Sequence, residues 1–172
     1  MERMDEAAAA SSANRSFEDF FDTERARLLR ALYLLTGNRE EAEEVLQDAF
    51  LAIWERWDRV AGMEEPVGYL YRTALNTHRS RVRHGLRVAR RAVGQAHGGD
   101  LFKEIEERDA LARALADLSP RRREAVVLTG LVEMSSSEAA EVMGVTDVTV
   151  RRLAQDARDR LRRSLSEADV DD

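Results

Sequence analysis

The chain has 172 residues, 44% of them hydrophobic and 35% charged, and a formal net charge of −6, enough for one ordinary domain or two small ones. It contains no cysteine, which excludes a disulfide frame, Cys-ligated zinc and thiol chemistry. No apolar run reaches the length of a membrane span and no basic-then-apolar leader opens the sequence, so a soluble, cytoplasmic protein with no membrane insertion is expected. The net charge hides a segregation. Residues 1–66 carry 16 acids against 8 arginines, whereas residues 67–99 hold seven arginines and no acid. An acidic block followed by a purely basic one points to two kinds of partner, one of them polyanionic.

With only 9 glycines and 2 prolines, long helices are the default. Residues 1–14 lack an apolar face and are expected to be disordered. From Phe17 a helical pattern sets in (Phe20, Phe21, Leu28, Leu32, Leu35) and ends at Gly37-Asn38. The next helix is the most periodic, with Ala42, Val45, Leu46, Ala49, Phe50, Ile53, Trp54 and Trp57 predicted on one apolar stripe. "DRVAGMEEP" reads as a loop, and Pro66 suits the first turn of a third helix. That helix directs Val67, Leu70, Tyr71, Ala74, Leu75 and Val82 inward. Periodicity fades from about Gly85 into a linker. It resumes with Ile105, Leu111 and Leu115, and Ser119-Pro120 reads as the capped start of a further helix. The expected organisation is all-α. A disordered N-terminus (1–14) precedes a first helical domain (15–84), a flexible linker (85–103), a second helical domain (104–165) and an acidic tail (166–172).

The second domain ends in a punctuated pair of helices. Ser135 and Glu138 form a capping box, Gly144-Val145-Thr146 makes a three-residue turn, and Thr146 is placed to cap the last helix. A short helix, a tight turn and a longer helix make a helix-turn-helix pattern. Val150, Leu153, Ala157, Leu161 and Leu165 share a packing face, while Val148, Thr149, Arg151, Arg152, Gln155 and Arg158 surround the N-terminal half of the other. That is where a recognition helix presents side chains to the major groove; the bland alternative is a solvated arginine face.

In order and motif the chain resembles the extracytoplasmic-function (ECF) group of sigma-70 RNA polymerase sigma factors. "LYLLTGNREEAEEVLQDAFLAIWERWDR" is similar to their region two and "PVGYLYRTALNTHRSRVRH" to its promoter-reading end. "LADLSPRRREAVVLTGLVEMSSSEAAEVMGVTDVTVRRLAQDARDRLR" is similar to their region four. The resemblance implies a promoter-specificity subunit whose partners are core RNA polymerase (the clamp helices of its largest subunit, and its flap), promoter DNA and an anti-sigma factor. It implies that Glu40, Glu43, Glu44, Gln47 and Asp48 dock on polymerase, and that the loop from Val60 to Pro66 meets an unstacked base of the −10 element. It implies too that Tyr69, Arg72, Asn76, Arg79, Arg81 and Arg83 flank that base, and that the second domain reads the −35 element. The chain departs from the family's usual pattern at Ser80, where aspartate is common, at Val148, often glycine, and at Leu153, Gln155 and Asp156, where the run is usually basic or contains His.

Two other classes compete. An autonomous helix-turn-helix regulator would need a dimerisation helix or ligand pocket for which no segment remains. An all-α enzyme of the carboxylate-bridged metal type needs Glu-x-x-His pairs, and none occurs. No metal ligand set, cofactor motif or catalytic residue is therefore expected.

Overall fold

The computed structural model describes the backbone of residues 2–91 and 110–168 and the side chains of 17–85 and 111–164. Among the described residues there are eight helices and no strand. Helix α1 (Glu2–Thr36) stops at Gly37, whose φ of 70° favours a residue without a Cβ. The Gly37 amide donates to the Tyr33 carbonyl at 2.8 Å. Asn38 then starts α2 (Arg39–Trp54), its Oδ1 accepting the Glu41 amide at 3.0 Å. A one-turn helix α3 (Trp57–Val60) precedes the loop 61–65, and Pro66 opens α4 (Pro66–Arg91). Helices α1, α2 and α4 close around Leu28, Leu32, Val45, Ala49, Ile53, Leu70, Tyr71 and Leu75, all buried. A cluster of rings plugs one end of this bundle, with Phe21 and Phe50 at 4.7 Å and Phe17 and Trp57 at 5.3 Å between centroids.

The second unit is α5 (Ala110–Ala116), α6 (Pro120–Gly130), α7 (Ser136–Met143) and α8 (Asp147–Ala168). Ser135 and Glu138 form the expected capping box, Gly144 turns the chain at φ 69°, and Thr146 Oγ1 accepts the Thr149 amide at 3.3 Å. Val127, Leu128, Ala139, Met143, Val150, Ala154 and Ala157 fill the space between α6, α7 and α8.

Several expectations need correcting. Helix covers residues 2–14, expected to be disordered, because the stretch is alanine-rich and extends a helix already anchored by packing. Helix α4 runs through Gly85 to Arg91, past the expected domain end at 84, since arginine and alanine prolong a helix without an apolar face. The rest of the expected linker, and the segment containing Ile105, lie outside the described residues, as do residues 169–172 of the tail. Asp58, Arg59 and Val60 belong to α3 and not to a loop. Trp54 and Val82, placed on inward stripes, are both 44% exposed. Trp54 is the last residue of α2, and Phe17 of α1 packs against its ring, edge-on at 4.8 Å between centroids, which leaves part of it open. Ser119 is the N-cap of α6, but its hydroxyl caps no amide and instead accepts from Arg122 at 3.4 Å. On α8 the buried position is Ala154, and Leu153 is only partly covered.

The two units are also in contact: α4 lies against α7 and α1 against α6, and one buried core runs through both.

Candidate nucleic-acid interface

On α2 the expected docking residues divide by helical angle. Glu40, Glu44, Gln47 and Asp48 are exposed, and Glu43 pairs with Arg39 at 2.9 Å. Glu44 and Asp48 turn toward α4, where Arg81 reaches both: Nη1 bonds Glu44 and Nη2 bonds Asp48 Oδ2 at 2.8 Å. The hydrogen bond to Asp48, with Glu44 adding to it, raises the guanidinium further above its ordinary pKa. One turn back, His78 Nδ1 and Glu41 Oε1 sit 3.1 Å apart. The free edge of α2 therefore consists of Glu40 and Gln47, and it continues through Leu51 (57% exposed) and Trp54. Steps of four and three residues keep Gln47, Leu51 and Trp54 in one row.

On α4, Tyr69, Arg72, Asn76, Arg79 and Arg83 recur at steps of three and four and so share a face, while Arg81 points to α2. Asn76 and Arg83 are exposed and have no polar partner among the described residues. Tyr69 is half-buried in a cleft of about 500 Å³ between the loop 61–65, the start of α4, and α7. Arg72 approaches Glu141 of α7 at 4.0 Å. Arg79 forms a fork on Glu124 of α6, Nε to Oε1 at 3.0 Å and Nη2 to Oε2 at 2.6 Å. Glu124 is only 4% exposed, so this charge-assisted pair is well shielded from water. Tyr71 is a core residue: burial first, and the neighbouring Glu24 carboxyl second, push its hydroxyl well above an ordinary phenol.

The second unit adds two further ties. Arg123, itself buried, donates to the carbonyls of Leu115 (2.8 Å), Ala116 (2.8 Å) and Leu118 (3.2 Å) beside it, and of Leu35 (2.9 Å) at the end of α1. Burial draws its pKa down, opposed by the charge of Asp117. From the other side Arg27 of α1 bonds the Val132 carbonyl. Sequence reading missed Arg123, Glu124, Arg27 and Glu141, and it gave Leu51 no role. A signal existed for two of them: Glu124 stands three and four residues before the buried Val127 and Leu128, and Arg123 four before Val127. Both fall on the inward face.

On α8, five of the six predicted residues fall into two adjoining rows that share Gln155, and Thr149 lies apart from both. Val148, Arg152 and Gln155 run along the outer edge; Val148 is 66% exposed, and Arg152 is exposed with no polar partner among the described residues. Gln155 bonds Asp159 at 3.0 Å on the surface. Arg151 is tied to Asp147, whose carboxyl the Arg151 hydrogen bond pulls below its ordinary value. Thr149 shares a hydroxyl bond with Thr146 at 2.8 Å. Arg151, Gln155 and Arg158 line a recess with Ser135 and Ser136 at the start of α7, and Arg158 leans to Thr129 of α6 at 3.4 Å. Asp156, which would repel phosphate if it faced DNA, turns instead to Arg122 at 3.4 Å. No group of His, Asp or Glu fit to hold a metal occurs among the described residues, and no helix there is long and apolar enough to cross a membrane.

Comparison with known proteins matches residues 20–95 to Sigma-70 region 2 and residues 108–161 to Sigma-70, region 4. The RNA polymerase sigma-E factor of Streptomyces avermitilis is 31% identical over 157 residues, covering 90% of this chain and 88% of that one. The RNA polymerase sigma factor CnrH of Cupriavidus metallidurans is 30% identical over 156 residues, covering 81% of each. The ECF RNA polymerase sigma factor SigM of Mycobacterium tuberculosis is 27% identical, covering 92% of this chain and 82% of its own. Among solved structures, the sigma factor RpoE of Bartonella quintana, in complex with the anti-sigma factor NepR, superposes with a TM-score of 0.75 at 23% identity, over 88% of this chain and 98% of that one. CnrH in complex with the cytosolic domain of CnrY superposes at 0.66 and 27% identity, over 94% of each.

Proposed function

The chain belongs to the ECF group of the sigma-70 family of RNA polymerase sigma factors, and on that premise we propose how its surfaces divide the work of starting transcription. As a sigma factor it is a transcription initiation factor, acting with RNA polymerase at promoters. It works in the cytoplasm, by binding and not by catalysis. The unit built on α1, α2 and α4 (residues 15–84) carries polymerase docking and the −10 element. Glu40, Glu43, Glu44, Gln47 and Asp48 meet polymerase. Tyr69, Arg72, Asn76, Arg79, Arg81 and Arg83 meet the −10 DNA, arginines on phosphates, Asn76 and Tyr69 on the unstacked base. The helix-turn-helix unit (residues 104–165) takes the −35 element through Val148, Thr149, Arg151, Arg152, Gln155 and Arg158. CnrH was solved with the cytosolic domain of CnrY, and a protein partner of that kind, an anti-sigma factor, is proposed here too.

The observation that carries this reading is the separation of surfaces in one chain: an acidic edge with exposed Leu51 and Trp54 on α2, and an outer edge of α8 on which Val148 and Arg152 are exposed. The test is transcription by purified bacterial core polymerase on a pool of genomic promoters, with and without the chain. Initiation at a defined subset is expected only with it. Gln47→Ala combined with Leu51→Ala should weaken co-purification with core polymerase while helicity stays unchanged, because exposed substitutions shift stability by about 0.5 kcal/mol or less. Undiminished co-purification would remove this edge from the docking surface.

A further inference from the structure

The exposed side of α8 makes two kinds of offer to DNA. Arg151, Gln155 and Arg158 line a recess with Ser135 and Ser136, a place that suits a phosphate, with Arg151 bound to Asp147 and Arg158 reaching Thr129 of α6. Val148 and Arg152 stand four residues apart on the outer edge, both exposed, neither with a polar side-chain partner among the described residues. A valine 66% exposed in the first turn of a recognition helix has only apolar contact to give. In the major groove the apolar group of a base pair is the thymine C5-methyl, while an unengaged guanidinium fits the O6 and N7 of guanine. Four residues of helix advance about 6 Å, close to two base-pair steps of roughly 3.4 Å each.

We propose that Val148 and Arg152 set the −35 specificity of this chain by reading, respectively, a thymine methyl and a guanine about two base pairs apart. The inference deepens the assignment of α8 to the −35 element and rests on it. Gln155 lies one turn further along the same edge, and its amide is lightly held by Asp159 at 3.0 Å. Of the neighbouring carboxylates, Asp147 is turned to Arg151 and Asp156 to Arg122, while Asp159, at the far end of this edge, is engaged by Gln155 and Arg162.

The experiment uses the chain with core polymerase, first selecting promoters from a library randomised across the −35 element. The selected element should contain a guanine and a thymine, on either strand, two base pairs apart. Replacing that thymine by deoxyuridine removes only the methyl group. It should lower promoter binding about fourfold, the worth of one buried methyl(ene), with the unaltered chain and leave Val148→Ala unaffected. Replacing the guanine by 7-deazaguanine removes N7 and should cost about fivefold or more with the unaltered chain but not with Arg152→Ala. Both variants change exposed side chains, and unchanged helicity and core binding would show that they fold. A clear −35 preference that ignores the methyl, or loses the same amount in Val148→Ala, overturns the inference and leaves the −35 assignment standing. Absence of any −35 preference overturns both.

Discussion

Arg123 shows what one side chain does in this fold. Helix C-termini leave carbonyls without amide partners and carry partial negative charge. The Arg123 guanidinium serves two such ends at once, that of α5 through Leu115, Ala116 and Leu118 and that of α1 through Leu35. Truncation would leave buried oxygens unpaired, each bond to a charged group being worth about 1.5–3 kcal/mol. Arg123→Ala should therefore cost at least about 3 kcal/mol in urea unfolding, and Arg123→Lys should recover little of it, since an ammonium cannot fork to four diverging acceptors. An unchanged urea midpoint for Arg123→Ala would contradict this role.

At the scale of elements, the helix-turn-helix is held by its caps. The Ser135 hydrogen bonds lower the Glu138 carboxyl from its ordinary value of 4.5, and Arg151 does the same for Asp147 at the start of α8. A carboxylate depressed on folding contributes stability that is fully present above its ordinary value and lost as pH falls through the folded one. Circular dichroism of the unaltered chain should thus stay flat from neutral pH to about 5 and decline below. Glu138→Gln, which still accepts a hydrogen bond but does not titrate, should show a shallower decline; superimposable acid limbs would exclude the cap as a contributor. These caps were legible in the sequence because their chemistry is local: Ser135 and Glu138 are three residues apart, and Gly144 and Thr146 stand in the turn itself. The exposure of Trp54 and Val82 was not, since periodicity says which residues share a face and not how fully a neighbour covers each of them. Nor was the division of the α2 acids, because Arg81 lies 33 residues from Asp48 and nothing local announces the pair. The site residues of α8 were readable as a set, but their sorting into two rows required the positions of Asp147, Thr129 and Ser135.

At the scale of the whole molecule, the described chain is closed. Taken as elements 25 base pairs apart, the two promoter sequences lie roughly 85 Å from each other along B-DNA, whereas a compact chain of this length has a radius of gyration of about 16 Å. The closed form cannot reach both, and Arg72 and Arg79, proposed for the −10 DNA, are held by Glu141 and Glu124 of the other unit. Glu124→Gln weakens the best-shielded of these ties. Small-angle scattering of the free variant should give a radius of gyration above that of the unaltered chain, which should lie near about 16 Å; equal radii would show that this ion pair does not govern closure. Arg81 carries a different consequence. It is claimed by Glu44 and Asp48 of the docking surface and, in the proposed function, by promoter phosphate. Whatever ligand draws one claimant away changes the affinity of the other surface, and such coupling is reciprocal by thermodynamic necessity. Polymerase that engages the two carboxylates frees a cation for DNA, and DNA that takes the cation bares two carboxylates for polymerase, each tightening the other by the same factor.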